Sequence, residues 1–312
     1  MPGPTLRSVA VQRVDRVAPD LFDRNYLSGA GTPVIVTDAM DRWQATTTWT
    51  FEFLAERYGS QPIATRPPGA PENIRRVYQL ADYIDFIHDR APKLAGIWLD
   101  LRTGLPVLDP PPPGEKPMYL SGGWNAFMTN PELVGDIEPG PYFVDDWTRL
   151  LPAEFLQLLQ TTRFRPRWVH IGPKGSISRL HQDFLHTHGT FSQIVGRKRF
   201  VLFSPEDSPF LYDGGFDPDA PDFEACPLLA RATAVECVLA PGETLFIPNQ
   251  WWHYVVGLDN AISVSYSFFN RSNVGEYFLD LFRFLPDLLE GFSATPEWWK
   301  RLGARWVSRG FD

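Results

Sequence analysis

The chain has 312 residues, of which 44% are hydrophobic and 21% charged, an ordinary composition for a folded globular protein that excludes the disordered and fibrous classes. The net charge of −8 and the pI near 5.3 argue against a protein that works by neutralising phosphates, so we expect no nucleic-acid partner. No stretch reads as a signal peptide or a membrane span, and Cys226 and Cys237 match no metal or disulfide spacing. We therefore expect a cytoplasmic protein without a membrane partner.

The first third of the chain mixes helical and strand patterns. The apolar, β-branched run at 33–37 interrupts helical patterns, which predicts helix, strand, helix for residues 18–60. Residues 78–88 carry apolar side chains at helical spacing, whereas the prolines at 110–113 fit neither helix nor central strand and indicate a linker. We assign residues 1–116 to an N-terminal α/β segment that packs on the next domain.

From Trp168 the pattern changes to short runs of strand length separated by proline- and glycine-containing turns. These runs cover residues 168–171, 191–203, 235–239, 244–247 and 261–269. They predict a sandwich, jelly roll or barrel over residues 117–270. Helical periodicity returns at 277–288, ahead of the aromatic pair Trp298 and Trp299, so residues 271–312 form a predicted C-terminal helical segment.

Histidines cluster in the β-rich region, which contains His170, His181, His186, His188 and His253. In an extended chain, His181 and Asp183 point to the same side and can converge on one ion. His253, predicted just past the end of the strand at 244–248, supplies a third ligand. Two histidines and one carboxylate are typical of non-haem iron(II) oxygenases, which keep positions open for a 2-oxo acid and dioxygen. The same three ligands would also suit a zinc hydrolase.

Several motifs in a fixed order extend this pattern. They are residues 31–36 with Trp43, Tyr119–Leu120, 178–183, 193–198, 203–205, and 241–248 through His253. Over roughly residues 20 to 290 the chain resembles the JmjC and cupin-like oxygenases. Within them it most resembles the subgroup of the asparaginyl hydroxylase that represses hypoxia-inducible factor. The resemblance implies a mainly β (α+β) fold, a double-stranded β-helix or jelly-roll/cupin barrel with flanking N- and C-terminal helices.

The resemblance also implies roles for individual residues. His181, Asp183 and His253 would ligate Fe(II), with 2-oxoglutarate and O2 as co-substrates, and Lys198 would pair with the distal carboxylate of 2-oxoglutarate. Strand alternation supports this, because it groups Lys198 with apolar side chains, and a buried lysine needs an anion. The apolar side chains in this group are Ile194, Phe200 and Leu202. Ser178 and Tyr119 match hydroxyl donors to the same carboxylate.

Other polar residues leave alternatives open. His170 and Ser265 could face the 2-oxoglutarate pocket, but His170 is as readily explained as a packed, hydrogen-bonded histidine, and Ser265 as part of a half-exposed strand. The chain lacks the asparagine that relatives carry between the triplet and the lysine, and has Thr187 or Gly189 there. His186 and His188 could line the substrate entrance, act as outer polar partners, or lie in an exposed loop.

The resemblance implies a 2-oxoglutarate-dependent dioxygenase that hydroxylates a C–H bond of a protein or peptide side chain. Alternatives are a hydroxylase of a free amino acid or small natural-product intermediate, a demethylase, and a non-catalytic cupin-like binding protein. The acidic stretch at 213–224 could attract a cationic substrate or be solvated surface. The C-terminal helices could pair two chains as a homodimer or cover one end of the barrel.

Overall fold

The computed structural model describes residues 5–28, 31–66, 70–71, 73–91, 96–100, 103–107, 119–138, 140–143, 145–160 and 165–284, apart from the side chains of residues 157, 158 and 160. The predicted linker at 110–113 and the predictions for residues 285–312 lie outside this part of the chain. Within it, no helix has both the length and the apolar character needed to cross a bilayer.

The N-terminal part combines short helices with short strands. It begins with β1 (Arg7–Ala10), β2 (Gln12–Val14), α1 (Pro19–Phe22) continued by a π-helical turn (Asp23–Leu27), β3 (Val34–Val36), α2 (Ala45–Thr48) and α3 (Phe51–Tyr58). A four-stranded sheet follows, made of β4 (Pro62–Thr65), β5 (Ile74–Gln79), β6 (Ile97–Asp100) and β7 (Leu105–Pro106), with α4 (Leu80–Ile87) after β5. The predicted helix, strand, helix order for residues 18–60 is confirmed.

The segment before the barrel contains β8 (Leu120–Ser121), α5 (Ala126–Thr129), two 3-10 helices (Pro131–Asp136 and Trp147–Leu150) and α6 (Ala153–Gln160). The barrel strands are β9 (Arg167–Gly172), β10 (Ile177–His181), β11 (His188–Val195), β12 (Lys198–Phe203), β13 (Thr233–Leu239), β14 (Thr244–Ile247), β15 (Trp252–Gly257) and β16 (Ala261–Phe268). Further 3-10 helices lie in their connections, at Phe184–His186, Pro205–Phe210, Tyr212–Gly214 and Pro227–Arg231.

The eight barrel strands divide between two sheets. One sheet has the order β1-β13-β12-β15-β10, and the other β2-β3-β14-β11-β16-β9-β8. All pairings between barrel strands are antiparallel, and β1 and β2 add to the sheets in parallel. Two facing antiparallel sheets with this strand distribution form a jelly roll, so the predicted fold class is confirmed.

The barrel core lies between the sheets, because alternate residues of each strand point inward. This inner cluster includes Phe200, Leu202, Leu239 and Val255 from one sheet and Ile35, Leu245 and Ile247 from the other. The outer face of the seven-stranded sheet packs on the N-terminal helices through Val169, Ile171, Ile194, Ile262 and Val264. The N-terminal segment therefore covers one sheet and leaves the inner face for the site.

The C-terminal helix α7 (Val274–Arg283) packs beside α6 and the turn between β10 and β11. Its buried side chains Tyr277 and Leu281 contact the cluster that contains Leu159 and Leu185. The described part of the C-terminal segment therefore covers one end of the barrel. Pairing of two chains stays a prediction.

The predicted run 191–203 is two strands joined by a tight turn at Gly196. This glycine has a φ of +70, in the left-handed region that favours glycine, and an added Cβ would lie 2.2 Å from the carbonyl oxygen of Asn260. The turn changes which residues point inward. Lys198 lies on the inner face with Phe200, whereas Ile194 packs on the outer face, so grouping Ile194 with Lys198 was wrong.

Candidate active site

Three potential metal ligands converge where β10 and β15 pair. His181, the last residue of β10, lies opposite His253, and their ring centroids are 4.1 Å apart. Asp183 Oδ1 is 4.0 Å from Nε2 of His181 and 3.7 Å from Nε2 of His253. The ligand atoms of all three lie within 4.8 Å of one another, a spread that a metal ion about 2.1 Å from each would close with small side-chain rotations.

Backbone hydrogen bonds orient both imidazoles. Nδ1 of His181 lies 2.6 Å from the carbonyl oxygen of Arg179, and Nδ1 of His253 lies 3.1 Å from that of Trp251. A carbonyl only accepts, so each Nδ1 carries the proton and each Nε2 keeps a lone pair for a metal. Burial, and then the neighbouring His181, lower the pKa of His253 to about 4, which keeps this imidazole in the neutral form that ligates metals.

A β-bulge explains how His181 and Ser178 share the inner face. Residues three apart in a regular strand point to opposite faces, but the register of β10 against β15 shifts between these two positions. Ser178 consequently lies opposite Val255, an inner-face residue. The prediction that His253 lies just past a strand end was wrong, because it is the second residue of β15.

Of the two residues named in place of the asparagine, Gly189 rather than Thr187 faces the triad. A Cβ at Gly189 would lie 3.3 Å from Oδ2 of Asp183. The hydroxyl of Thr187 instead donates to the carbonyl oxygen of Phe184 at 3.2 Å. The absence of a side chain at 189 leaves room beside the carboxylate.

Lys198 is 1% exposed inside the barrel. Its Nζ donates to the hydroxyl of Tyr119 at 3.0 Å and lies 4.7 Å from the ring centroid of Phe191. None of the ion pairs among the described residues involves this lysine, and burial lowers its pKa to about 7. Desolvation also raises the pKa of the Tyr119 phenol, so the phenol stays neutral and gives Lys198 no negative charge to pair with.

Ser178 lies between this cation and the candidate metal ligands. Lys198 pairs with Gly257, four residues along β15 from His253, which corresponds to about 13 Å. Ser178 and Val255 occupy the intermediate position. The inner face therefore offers a metal-ligating group at one end, a cation at the other and a hydroxyl between them.

His170 and Ser265 lie on the inner face and contact each other. His170 Nε2 is 2.8 Å from the Ser265 hydroxyl, and its ring stacks on Tyr119 with 5.9 Å between centroids. Burial first, then the charges of Lys198 and Arg165, hold the pKa of His170 well below its usual value. Its Nδ1 is buried and has no hydrogen-bond partner in the described ranges, so His170 is a packed histidine that keeps one unsatisfied ring nitrogen.

His188 does not line an entrance or an exposed loop, contrary to two of the predicted roles. It is fully buried in β11, with its ring 5.3 Å from that of Phe268. Its Nδ1 accepts the backbone N–H of Asn249 at 3.1 Å, and Nε2 lies 3.1 Å from the hydroxyl of Ser272. Burial lowers its pKa to about 4, so His188 is a neutral, hydrogen-bonded histidine on the outer face of its sheet, and its role as an outer polar partner of the site stays a prediction.

The acidic stretch at 213–224 is largely engaged in local contacts. Asp219 pairs with Arg199 and accepts a hydrogen bond from the Tyr254 hydroxyl at 2.8 Å. Asp222 accepts the backbone N–H of Glu224 at 2.9 Å. These contacts favour the solvated, structural interpretation of this stretch over attraction of a cationic substrate.

The turn that follows Asp183 is held by α7. Leu185 and His186 have φ values of 62° and 49°, a left-handed conformation that non-glycine residues adopt only under external constraint. His186 Nδ1 lies 2.5 Å from Oδ2 of Asp280, and Asn273 donates to the His186 carbonyl oxygen at 2.7 Å. The helix thus fixes the turn that carries a candidate ligand.

Asp280→Ala is expected to weaken metal binding about 3- to 10-fold, less than the 10- to 100-fold typical of direct outer partners of ligands. The reason is that the turn after Asp183 loses the ion pair between His186 and Asp280 of α7. Titration with Mn(II) followed by electron paramagnetic resonance measures the affinity. Arg283→Ala is the matched control, since it removes the other ion-pair partner of Asp280 and leaves the contact with His186. Equal affinity in Asp280→Ala and Arg283→Ala would contradict the role of α7.

Two polar groups of the site were missed from the sequence. Trp251 belongs to the inner cluster, and its indole N–H is buried without a partner. Alternation from His253 could have placed it on the inner face. Arg165 is also buried, but it stands in an alternating basic run at 163–167, where the sequence carries no signal for which arginine turns inward.

Comparisons with known proteins agree with this geometry. Residues 148–274 match a family model described as a cupin-like domain. The chain is 28% identical over 286 residues to lysine-specific demethylase JMJ21 of Arabidopsis thaliana, covering 87% of this chain and 26% of the relative. It is 25% identical over 265 residues to the mouse 2-oxoglutarate and iron-dependent oxygenase JMJD4, covering 80% and 55%.

A third relative is more similar in sequence. The chain is 44% identical over 246 residues to the chicken tRNA wybutosine-synthesizing protein 5, covering 74% of this chain and 69% of that protein. Of the first curated relatives the chain spans only about a quarter to about half of the length. The narrower resemblance to the asparaginyl hydroxylase subgroup stays a prediction. From its barrel, its ligand triad and these relatives, the chain belongs to the cupin-like JmjC family of iron- and 2-oxoglutarate-dependent oxygenases.

Proposed function

We propose that this chain is an Fe(II)- and 2-oxoglutarate-dependent dioxygenase that hydroxylates a C–H bond. One observation carries the proposal: a His, Asp, His cluster and a buried lysine that pairs with no anion among the described residues face the same barrel interior. A zinc hydrolase would use the three ligands but would leave the buried cation unexplained. Membership of an oxygenase family supports the same choice.

His181, Asp183 and His253 have the donor set for iron(II), two neutral imidazoles and one carboxylate, and three ligands leave coordination positions open. Lys198, with Tyr119, fits the distal carboxylate of 2-oxoglutarate, because the ammonium is buried and the phenol is its one hydrogen-bond partner in the described part of the chain. Ser178 adds a hydroxyl between the two groups. The donors in this chain therefore fit both the metal and the co-substrate.

When bound, iron(II) and 2-oxoglutarate supply the chemistry: 2-oxoglutarate, O2 and a substrate C–H give succinate, CO2 and a substrate C–OH. The residues of this chain bind and orient. Lys198 fixes the far end of the dicarboxylate, and the rings of Phe191 and Tyr119 around its ammonium exclude water. The backbone carbonyls of Arg179 and Trp251 hold the protons of His181 and His253 on Nδ1.

A protein or peptide side chain is the first candidate substrate, since several relatives are named as lysine- or arginine-specific demethylases. An RNA nucleoside is the second, because the relative with 44% identity is named for tRNA wybutosine synthesis. The expectation of no nucleic-acid partner therefore lacks support from the relatives. The net charge of −8 favours the first candidate.

Succinate release in the presence of Fe(II), 2-oxoglutarate and oxygen tests the proposal. We expect slow release from the protein alone and stimulation of about tenfold or more by a peptide library over bulk tRNA or free amino acids. Stimulation by tRNA alone would select the second candidate substrate. Binding of 2-oxoglutarate with no succinate under any condition would favour a non-catalytic binding protein and overturn the proposed activity.

A further inference from the structure

A second buried cation, Arg165, lies beside the site. Its side chain is 8% exposed, and its guanidinium stands 4.2 Å above the ring of Trp168. Nη2 donates to the carbonyl oxygen of Gly122, whereas Nε is buried and has no hydrogen-bond partner among the residues that the structure describes. Burial lowers its pKa to about 10, so Arg165 remains charged at neutral pH.

No carboxylate forms an ion pair with Arg165 within the described ranges. A buried guanidinium with one carbonyl contact and a ring is poorly compensated, since burying a charge is costly unless an anion or several acceptors meet it. Arg167, two residues along, differs: it is only half-buried and lies over the ring of Tyr266, which belongs to the outer face. Of these two arginines, Arg165 is therefore the one whose buried charge still needs an anion or further acceptors.

The contacts of Arg165 connect it to the inner face of the barrel. Trp168, under the guanidinium, pairs in register with Ser265, and Ser265 contacts His170. Lys198 reaches His170 through two rings, because its ammonium contacts Tyr119 and Phe191 and both rings pack on the imidazole. His170 therefore lies between the surroundings of Lys198 and those of Arg165, and Lys198 binds 2-oxoglutarate in the proposed function.

We propose that Arg165 binds an oxyanion of the substrate, a carboxylate or a phosphate, beside the reaction centre. This inference rests on the proposed function and narrows it to substrates that carry such a group near the oxidised carbon. The free Nε–H and a neighbouring Nη–H provide the two parallel donors that guanidinium offers to carboxylate and phosphate oxygens. Trp168 holds the guanidinium plane in place.

The test uses the full chain loaded anaerobically with Mn(II) and 2-oxoglutarate, so that Lys198 is occupied. Acetate and inorganic phosphate are the probes, and paramagnetic relaxation of their 13C and 31P nuclear magnetic resonance signals reports binding near the metal. We expect saturable relaxation for at least one probe in the wild type, weakened about tenfold or more in Arg165→Gln and unchanged in Arg167→Gln. The probe that saturates at the lower concentration distinguishes carboxylate from phosphate.

Absence of saturable relaxation in the wild type, or equal binding in Arg165→Gln, would overturn the inference and leave Arg165 a structural residue. If Arg165→Gln does not fold, Arg165→Lys decides, since it keeps the charge but loses the paired donors and should bind several-fold more weakly. Failure of 2-oxoglutarate to bind the Mn(II) protein would instead count against the proposed function. The probes would then be titrated into the Mn(II) protein alone, where the same two outcomes still decide the role of Arg165.

Discussion

Asp183→Ala is expected to lower iron(II) affinity by more than about 100-fold and to abolish 2-oxoglutarate turnover. Loss of an outer partner of a metal ligand alone typically costs 10- to 100-fold, and Asp183 supplies the only carboxylate of the triad. Without it, two neutral imidazoles would have to hold a divalent cation with no compensating charge. Anaerobic titration with iron(II) and 2-oxoglutarate measures the effect through the weak visible band of the chelated complex.

The control for this variant is Glu224→Ala, which removes an exposed carboxylate of the acidic stretch and should leave the band unchanged. Asp183→Ala adds no bulk beside Gly189, so its fold should persist, and circular dichroism verifies this. A normal band in folded Asp183→Ala would reject the assignment of the triad. A metal-dependent hydrolytic activity with no band in the wild type would instead point to the zinc hydrolase alternative.

The triad was predictable because its signal is local. Alternation alone puts His181 and Asp183 on one side of an extended chain. His253 was named as the third ligand although its strand, β15, was not predicted. Their meeting depends on antiparallel pairing of β10 with β15, which connects residues far apart in sequence. Neither strand was predicted. β10 has five residues of mixed polarity and a bulge, which breaks the alternation of apolar and polar side chains. β15 directly follows a proline-containing turn.

Burial of single polar residues was harder to predict than the fold. His188 was open to a loop interpretation because the apolar run that predicted this strand begins at residue 191, three positions after the start of β11. Ile194 lies on the outer face of the seven-stranded sheet, whereas Lys198 lies on the inner face of the five-stranded sheet. The turn at Gly196 separates them and changes which residues of the chain point inward. Arg165 is buried through contacts with Gly122 and Trp168 that no local pattern encodes.

Lys198→Met is expected to weaken 2-oxoglutarate binding by about 30-fold or more, because truncating one partner of a buried charge pair costs about 2–5 kcal/mol. Methionine keeps much of the side-chain volume between Phe191 and Tyr119, so the variant tests charge rather than packing. Arg197→Met is the control, since it removes a neighbouring exposed charge that pairs with Asp259. Calorimetric titration of the Mn(II)-loaded protein gives both affinities.

The wild-type affinity for 2-oxoglutarate should also depend on pH in a direction set by Lys198. Burial lowers the pKa of this lysine to about 7 in the free protein, and pairing with a carboxylate raises it again in the complex. The complex therefore holds more protons than the free protein above pH 7, so binding weakens as pH rises. From pH 6 to 8 the Kd should increase about tenfold, with uptake of about one proton at pH 8.

The lowered pKa of Lys198 should affect folding in the opposite direction, so that stability rises with pH where 2-oxoglutarate affinity falls. Without 2-oxoglutarate, the unfolded chain binds a proton at Lys198 that the folded chain releases between about pH 7 and 10, so the free energy of unfolding should rise with pH over this range. Saturating 2-oxoglutarate should remove that rise, and Lys198→Met should lack it with or without the ligand. A Kd that stays constant between pH 6 and 8, with no proton uptake, would mean that Lys198 keeps its proton up to pH 8 in the free protein, against the pKa that burial lowers to about 7. The affinity of Lys198→Met would then decide by itself whether the dicarboxylate binds at this lysine, and an unchanged affinity would place the dicarboxylate elsewhere.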